Sequence, residues 1–130
     1  MLRPEVSASS ARLAFASAGH SPVIYRARGG RSRLLRATGL PIGILPERGL
    51  TSNVVRLGPG DVLVVATDGF SEATSPAGEL FGTERLLALV ESNATAAASG
   101  VADQLFTAVT EFAAGQGQDD DQTLLVLKGK

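Results

Sequence analysis

The chain has 130 residues, enough for one domain with a hydrophobic core but too few for two. Its 44% hydrophobic and 19% charged residues indicate a globular protein and argue against disorder. The absence of cysteine excludes disulfides and thiolate metal sites and favours a cytoplasmic protein, and no apolar run is long enough to predict a membrane span. The net charge of -1 combines an arginine-rich first half with an acidic second half. Because the arginines lack interleaved aromatic residues, we expect no nucleic-acid binding.

The first half of the chain predicts β-strands. Residues 1–11 are small and polar and are interpreted as a loop or a frayed end. Alternating apolar residues predict a strand over 12–17. Two further strands, over 23–28 and 33–35, flank Gly29-Gly30, which predicts an antiparallel hairpin.

The middle of the chain leads into a strand that is apolar on both faces. Residues 38–46 are apolar but interrupted by Gly and Pro, which predicts a loop packed onto the core. A strand over 53–57 precedes a Pro-Gly pair at 59–60, the signature of a type II turn. That turn should deliver the chain antiparallel into Val62–Thr67, whose five consecutive apolar residues predict a buried strand.

The second half predicts helices and a closing strand. After a polar loop over 73–80, apolar spacing predicts a helix over 83–93 that begins at Thr83 as N-cap. Residues 94–100 are interpreted as a linker, and an apolar stripe over 101–112 predicts a second helix, ended by Gly115. A final strand is expected over 123–127. The pattern indicates an α+β fold, a mostly antiparallel sheet with two consecutive helices on one face.

Acidic residues follow one predicted strand and precede another. Asp68 comes directly after the buried strand and before Gly69. This position is typical of a metal ligand or a catalytic acid, and it is also typical of an ordinary Asp-Gly turn. If the closing strand inserts beside Val62–Thr67, the acids Asp119 to Asp121 arrive near Asp68. Clustered carboxylates need a cation between them, and oxygen ligands favour Mg²⁺ or Mn²⁺ over zinc. In isolation, the acidic run is equally explained as a solvated loop.

Two more residues have both a functional and an ordinary interpretation. Glu72 either reaches the same site or is a surface acid. His20, the only histidine, lies at a predicted strand break, where a structural role is the simpler explanation. No serine has the context of a hydrolase nucleophile, so a catalytic triad is not predicted.

An ordered set of short motifs resembles a known family. The segments are Ala18-Gly19-His20-Ser21-Pro22, Gly39-Leu40-Pro41-Ile42-Gly43, Leu57-x-Pro59-Gly60-Asp61, Thr67-Asp68-Gly69, Glu72, Phe81-Gly82 and Asp120-Asp121-x-Thr123. Their order and spacing resemble the SpoIIE/RsbU-type branch of the PPM metal-dependent serine/threonine protein phosphatases. The resemblance covers nearly all of the chain from about Arg12 onward. It implies an αββα sandwich with two Mn²⁺ or Mg²⁺ ions at one end.

The resemblance also implies roles for individual residues. Asp68 and Asp120 would bind the metals, Gly69 and Asp121 would belong to the same metal position, and Glu72 would serve a third, labile ion. The residues expected to contact the substrate or to support the metal ligands are His20, Thr67 and Asp119. The implied substrate is a phosphoserine or phosphothreonine regulatory protein of the anti-sigma factor antagonist type.

The sequence departs from the family in one respect. The family carries two further aspartates, in a Gly-Asp segment and in an Asp-Val-x-Gly-His-Gly segment, and neither motif occurs here. The chain therefore resembles the C-terminal portion of the catalytic domain, and we expect a single, N-terminally truncated domain over 1–130. A non-catalytic binding module is the alternative function. Missing strands would leave sheet edges exposed, so self-association is also expected.

Overall fold

A computed structural model describes residues 2–6, 11–15, 23–35, 53–115 and 121–130. Along these ranges six β-strands come first, three α-helices follow, and one β-strand ends the order. The elements are β1 (Leu2–Val6), β2 (Ala11–Phe15), β3 (Val23–Arg26), β4 (Ser32–Leu35), β5 (Asn53–Leu57), β6 (Val62–Ala66), α1 (Asp68–Ser71), α2 (Gly82–Ser92), α3 (Ala98–Ala113) and β7 (Leu124–Lys128).

The strands form two antiparallel sheets. One has the order β1-β2-β5 and the other the order β4-β3-β6-β7. A buried cluster joins Leu57 of β5 to Val23, Leu35 and Leu63 of the four-stranded sheet, so the two sheets pack face to face. Burial of such apolar surface contributes about 25 cal/mol per Å² to folding. The predicted α+β class is confirmed.

The two long helices cover the other face of the four-stranded sheet. In β6, alternate residues Val62 and Val64 pack in a cluster with Val90 of α2 and Leu105 of α3. Leu63, between them, points to the sheet–sheet cluster. Strand β6 is therefore buried on both faces, as its continuous apolar run predicted. No helix in the described ranges is long and apolar enough to cross a membrane.

The first strand corrects one prediction. Residues 1–11 were expected to be a loop or frayed end, but Leu2–Val6 forms β1, which pairs antiparallel with β2 from Leu2–Phe15 to Val6–Ala11. Pro4 is compatible with this strand because β1 is an outer strand among the described strands of its sheet, and an outer strand tolerates a missing backbone donor. Residues 7–10 are among the small polar residues that suggested a loop, and they lie outside the described residues.

The turn after β5 was predicted correctly, but its consequence was not. The amide of Asp61 donates to the carbonyl of Gly58 at 3.0 Å, and Gly60 has φ +84°, as a type II turn requires. However, β5 pairs with β2, whereas β6 pairs with β3 and β7. The turn therefore carries the chain from one sheet to the other instead of forming a hairpin. The 29–30 hairpin prediction is confirmed by antiparallel pairing of β3 with β4.

Helix limits also differ from expectation. The N-cap of α2 is Phe81, without a side-chain cap, so Thr83 lies inside the helix. Helix α3 begins at Ala98, within the predicted linker, and ends through two residues with positive φ, Ala114 and Gly115. Helix α1 was not predicted, because a single turn shows no hydrophobic period. The loop predicted over 38–46 lies outside the described residues.

Candidate metal centre

The candidate site is at the end of the four-stranded sheet where β6 stops and β7 starts. The two strands pair antiparallel from Val62–Lys128 to Ala66–Leu124. One more backbone bond follows, from the amide of Thr67 to the carbonyl of Thr123 at 3.1 Å. The predicted insertion of the closing strand beside β6 is thus confirmed, and Asp121 approaches the sheet at the point where Asp68 leaves it.

The hydroxyl of Thr67 joins the two segments beyond the last strand pair. It donates to the carbonyl of Asp121 at 2.8 Å and accepts from the amide of Thr123 at 3.0 Å. Both distances lie in the normal range for hydrogen bonds. The side chain therefore extends the β6–β7 ladder and fixes the backbone that enters β7.

Helix α1 presents the first candidate ligand. Asp68 is its first residue and is exposed, while Phe70 is fully buried and makes an edge-to-face contact with Phe106 of α3, with ring centroids 5.0 Å apart. Glu72 ends the helix, is also exposed, and donates its amide to the carbonyl of Asp68 at 2.8 Å. The buried aromatic ring anchors a short helix whose acidic residues face solvent.

A second side chain links α1 to the entrance of β7. The amide group of Gln122 donates to the carbonyl of Gly69 at 3.2 Å. The sequence predicted no role for Gln122. The residue occupies the unspecified position x of the Asp-Asp-x-Thr pattern, so the motif does not single it out. Gly69, expected at the metal position, is buried and its carbonyl oxygen accepts this bond.

The structure thus brings together some of the expected site residues. Thr67, Asp68 and Gly69 lie where β6 passes into α1, Glu72 caps the end of α1, and Asp121 lies in the segment entering β7. Three further residues lie outside the described ranges, and their expected roles stay predictions: His20, Asp119 and Asp120.

The donor chemistry of the described residues fits a hard cation. Asp68, Glu72 and Asp121 offer carboxylate oxygens, the ligands that Mg²⁺ and Mn²⁺ prefer. In the part of the chain that the structure describes, no three acidic or histidine side chains form a group that could hold a metal by themselves. A complete metal cage would therefore draw on further ligands, for which Asp120 is the candidate in this sequence.

A small hairpin follows α1 beside the candidate site. Thr74 and Leu80 form a β-bridge, and the amide of Phe81 donates to the carbonyl of Ala73 at 2.8 Å. Arg85 of α2 donates to the carbonyls of Leu80 and Phe81, both at 2.8 Å. The residues expected to be a polar loop over 73–80 are therefore a hydrogen-bonded hairpin held by one arginine.

Comparison with known proteins identifies related chains. Residues 3–130 match the family described as Stage II sporulation protein E (SpoIIE). Protein IcfG of Synechocystis sp. (strain ATCC 27184 / PCC 6803 / Kazusa) is 30% identical over 122 residues, which cover 94% of this chain and 19% of IcfG. This chain therefore corresponds to a minor part of that relative.

Solved structures share the fold. The SiaA-PP2C domain of Pseudomonas aeruginosa superposes with a TM-score of 0.75 at 26% identity, over 92% of this chain and 46% of that chain. The RsbU and RsbW domains of Rv1364c from Mycobacterium tuberculosis give a TM-score of 0.71 at 26% identity, over 88% and 32%. The Mn-presoaked phosphatase domain of SpoIIE from Bacillus subtilis gives 0.67 at 18% identity, over 99% and 56%, which supports the fold alone.

This chain spans about half or less of the length of the SiaA and Rv1364c structures. The likeness nevertheless covers 92% of this chain in the SiaA comparison and 88% in the Rv1364c comparison. Together with the match over residues 3–130, it establishes that the chain belongs to the SpoIIE family and has the fold of part of a PP2C/PPM phosphatase domain.

Proposed function

We propose that these residues belong to a metal-dependent protein serine/threonine phosphatase. The observation that carries the proposal is the pairing of β6 with β7, together with the hydrogen bonds of Thr67, the residue before Asp68, to Asp121 and Thr123. Membership of the SpoIIE family and the fold shared with the SiaA-PP2C domain support it. In this proposal Asp68 and Asp120 bind Mn²⁺ or Mg²⁺, and Asp121 and Glu72 add negative charge beside them.

The roles of this chain's own residues follow from their positions. When bound, such metal ions lower the pKa of a coordinated water and neutralise phosphoryl charge. Asp68 would hold its ion rigidly, because the buried ring of Phe70 anchors the helix it begins. The pairing of Thr67 with Thr123 would keep the second carboxylate-bearing segment in place.

We further propose that the substrate is a phosphoserine or phosphothreonine on a regulatory protein in bacterial signalling. The support is indirect: one structural relative joins an RsbU domain to an RsbW domain in a single chain. Self-association through sheet edges stays a prediction. Strands β4 and β7 are the outer strands of the described four-stranded sheet, and light scattering over a concentration series would test whether they mediate it.

A mutational assay tests the enzymatic proposal. The full gene product would be assayed for Mn²⁺-dependent hydrolysis of p-nitrophenyl phosphate and of a phosphoserine peptide. Asp68→Asn and Asp120→Asn should each lower the rate by more than about 100-fold, because each removes a metal ligand. Glu84→Gln is the matched control, since Glu84 is an exposed acid on α2. Full activity in both aspartate variants would refute the assignment.

A non-catalytic binding module is the second candidate function. It is favoured by the absence of the two further aspartate motifs from these 130 residues and by the lack of a three-acid group within the described ranges. The same assay separates the candidates. A folded, metal-loaded gene product that hydrolyses neither substrate would support the binding module.

A further inference from the structure

We propose that Thr67 and Gln122 are positioning residues that hold the Asp68 turn and the segment entering β7 at a fixed separation. The inference rests on the proposed function, because that separation matters only if both segments bind the same metal centre. Neither residue would be a metal ligand. Each would instead hold in place a backbone segment whose neighbouring side chain binds the metal.

The argument begins with the two neighbours of Asp68. The residue before it, Thr67, bonds through its hydroxyl to Asp121 and Thr123. The residue after it, Gly69, accepts a bond from Gln122. Asp68 therefore lies between two residues that are both tied to the three-residue segment 121–123. We call these side-chain bonds the Thr67–Gln122 latch.

The Thr67 half of the latch uses both hydrogen-bonding functions of one hydroxyl. The hydroxyl donates a hydrogen bond to the Asp121 carbonyl at 2.8 Å and accepts one from the Thr123 amide at 3.0 Å. A hydroxyl engaged in this way has its proton committed to the protein and is not free to donate to a substrate. Its role is to hold the Asp121 backbone beside β6, past the point where strand pairing ends at Ala66 and Leu124.

The Gln122 half stabilises a helix that is too short to be stable alone. Helix α1 has four residues, and isolated helices of that length do not form in water. Carbonyls in the last turn of a helix lack intrahelical partners, and Gln122 satisfies the one on Gly69. With Phe70 packed on Phe106, the helix is held from the α3 side and from the β7 side.

Fixing the separation before metal arrives should strengthen metal binding. Ligands on a mobile backbone must be ordered during binding, and this ordering lowers affinity. Residues that orient metal ligands typically change affinity by 10–100-fold when mutated. The latch should therefore affect Mn²⁺ affinity more than it affects global folding, which depends on the two buried clusters.

The test is a Mn²⁺ titration of the full gene product by isothermal calorimetry. Thr67→Val removes the hydroxyl and keeps the side-chain shape, and we expect it to weaken Mn²⁺ binding roughly 10–100-fold. Thr67→Ser restores a hydroxyl and should bind within about threefold of wild type, since the same donor and acceptor are present. Thr110→Val, at an exposed threonine on α3, is the matched control and should bind as wild type does.

A second variant keeps the test decisive if Thr67→Val does not fold. Gln122→Met retains the side-chain length without the amide donor and should weaken Mn²⁺ binding roughly tenfold or more. Thermal unfolding of each apo variant identifies the temperatures at which all are folded, and the titrations are made there.

The outcomes separate the latch from the function on which it rests. Wild-type affinity in Thr67→Val and Gln122→Met would overturn the latch and leave the proposed function standing. Equal weakening in Thr67→Val and Thr67→Ser would also overturn it, because the hydroxyl would not be responsible. Absence of Mn²⁺ binding by the folded wild-type gene product would overturn the proposed metal centre itself. Weak binding in the two donor-free variants with recovery in Thr67→Ser is the result that supports the latch.

Discussion

The hydroxyl of Tyr25 donates a hydrogen bond of 3.2 Å to the carboxylate of Asp61, which connects strand β3 to the turn between β5 and β6. The same carboxylate accepts from the backbone amides of Arg28 at 2.7 Å and Gly58 at 2.8 Å. One side chain thus joins the β3–β4 hairpin to the turn where the chain passes between sheets. Because β6 leads directly to Asp68, this turn helps to set the position of the candidate site.

Replacing Asp61 should therefore destabilise the fold. Asp61→Ala removes three hydrogen bonds and leaves their donors without this partner, so we expect a loss of about 2–4 kcal/mol in unfolding free energy. Urea denaturation followed by circular dichroism measures it. Asp103→Ala, at an exposed position on α3, is the control and should change stability by less than about 0.5 kcal/mol. Equal effects from the two substitutions would contradict the role of Asp61.

The Tyr25–Asp61 contact also predicts an alkaline limit to stability. Desolvation, the negative charge of Asp61 and the hydrogen bond to it raise the pKa of Tyr25 above its ordinary value of 10.0, against a smaller opposing effect of Arg33. A raised pKa in the folded state means that the neutral phenol stabilises the fold. This contribution is complete below pH 10 and is lost as the pH rises through the folded-state pKa.

Tyr25→Phe isolates this effect, because it keeps the ring and removes the titrating group. The difference in unfolding free energy between wild type and Tyr25→Phe should be constant below about pH 9 and should shrink as the pH rises past 10. Urea unfolding at a series of pH values from 7 to about 11 provides the measurement. Parallel pH profiles for the two proteins over that range would contradict the assignment.

Arg85 should hold the hairpin over 73–81 next to α1. Its guanidinium donates to two carbonyls of the hairpin and lies 4.5 Å from the ring centroid of Phe112. Arg85→Met keeps the apolar stem and should cost about 1–2 kcal/mol, with faster hydrogen exchange at the amides of Glu79 and Phe81.

The ion pair of Arg85 with Glu79 should matter much less. Its two side chains are 3.2 Å apart but well exposed, at 42% and 65%, and exposed pairs contribute less than about 1 kcal/mol. Glu79→Gln is thus the control for Arg85→Met and should leave exchange in the hairpin nearly unchanged. If Glu79→Gln loosens the hairpin as much as Arg85→Met does, the carbonyl bonds are not what holds it.

Gly129 should be intolerant of any side chain. It pairs with the type II turn, donating to the carbonyl of Asp61 at 2.9 Å and accepting from Gly60 at 3.0 Å. A Cβ atom at this position would overlap the carbonyl oxygen of Gly58. Gly129→Ala should therefore cost about 2–3 kcal/mol in urea unfolding, because the backbone must move apart.

Gly78→Ala provides a contrast with Gly129→Ala. Gly78 has φ +83° with open space around it. An added Cβ would therefore strain the backbone conformation but would not overlap a neighbouring atom. The cost should be about 1–2 kcal/mol, the ordinary penalty for an L-residue in the left-handed region. A smaller loss for Gly129→Ala than for Gly78→Ala would show that the end of β7 moves freely away from the turn.

Local patterns in the sequence were sufficient for the main elements. Continuous apolar residues in Val62–Ala66 predicted a strand buried on both faces, and the stripe through Val101, Leu105 and Val109 predicted α3, because burial follows directly from side-chain periodicity. The type II turn at Gly58–Asp61 was also predictable, since its backbone angles depend on a Pro-Gly pair. These features made Asp68 a candidate from the sequence alone.

Pairing partners and the site's connections depended on distant residues. Strand β5 pairs with β2 instead of β6, and Leu2–Val6 forms a strand that pairs with β2. The Thr67 hydroxyl reaches a carbonyl 54 residues away, and Gln122 supports a helical turn too short to show a period. Sequence patterns report which surfaces are apolar, whereas packing of whole sheets decides which backbone groups meet. The sequence by itself determined where the acids lie along the chain, and the tertiary structure decided that the Asp68 turn and the Asp121 segment are joined by hydrogen bonds.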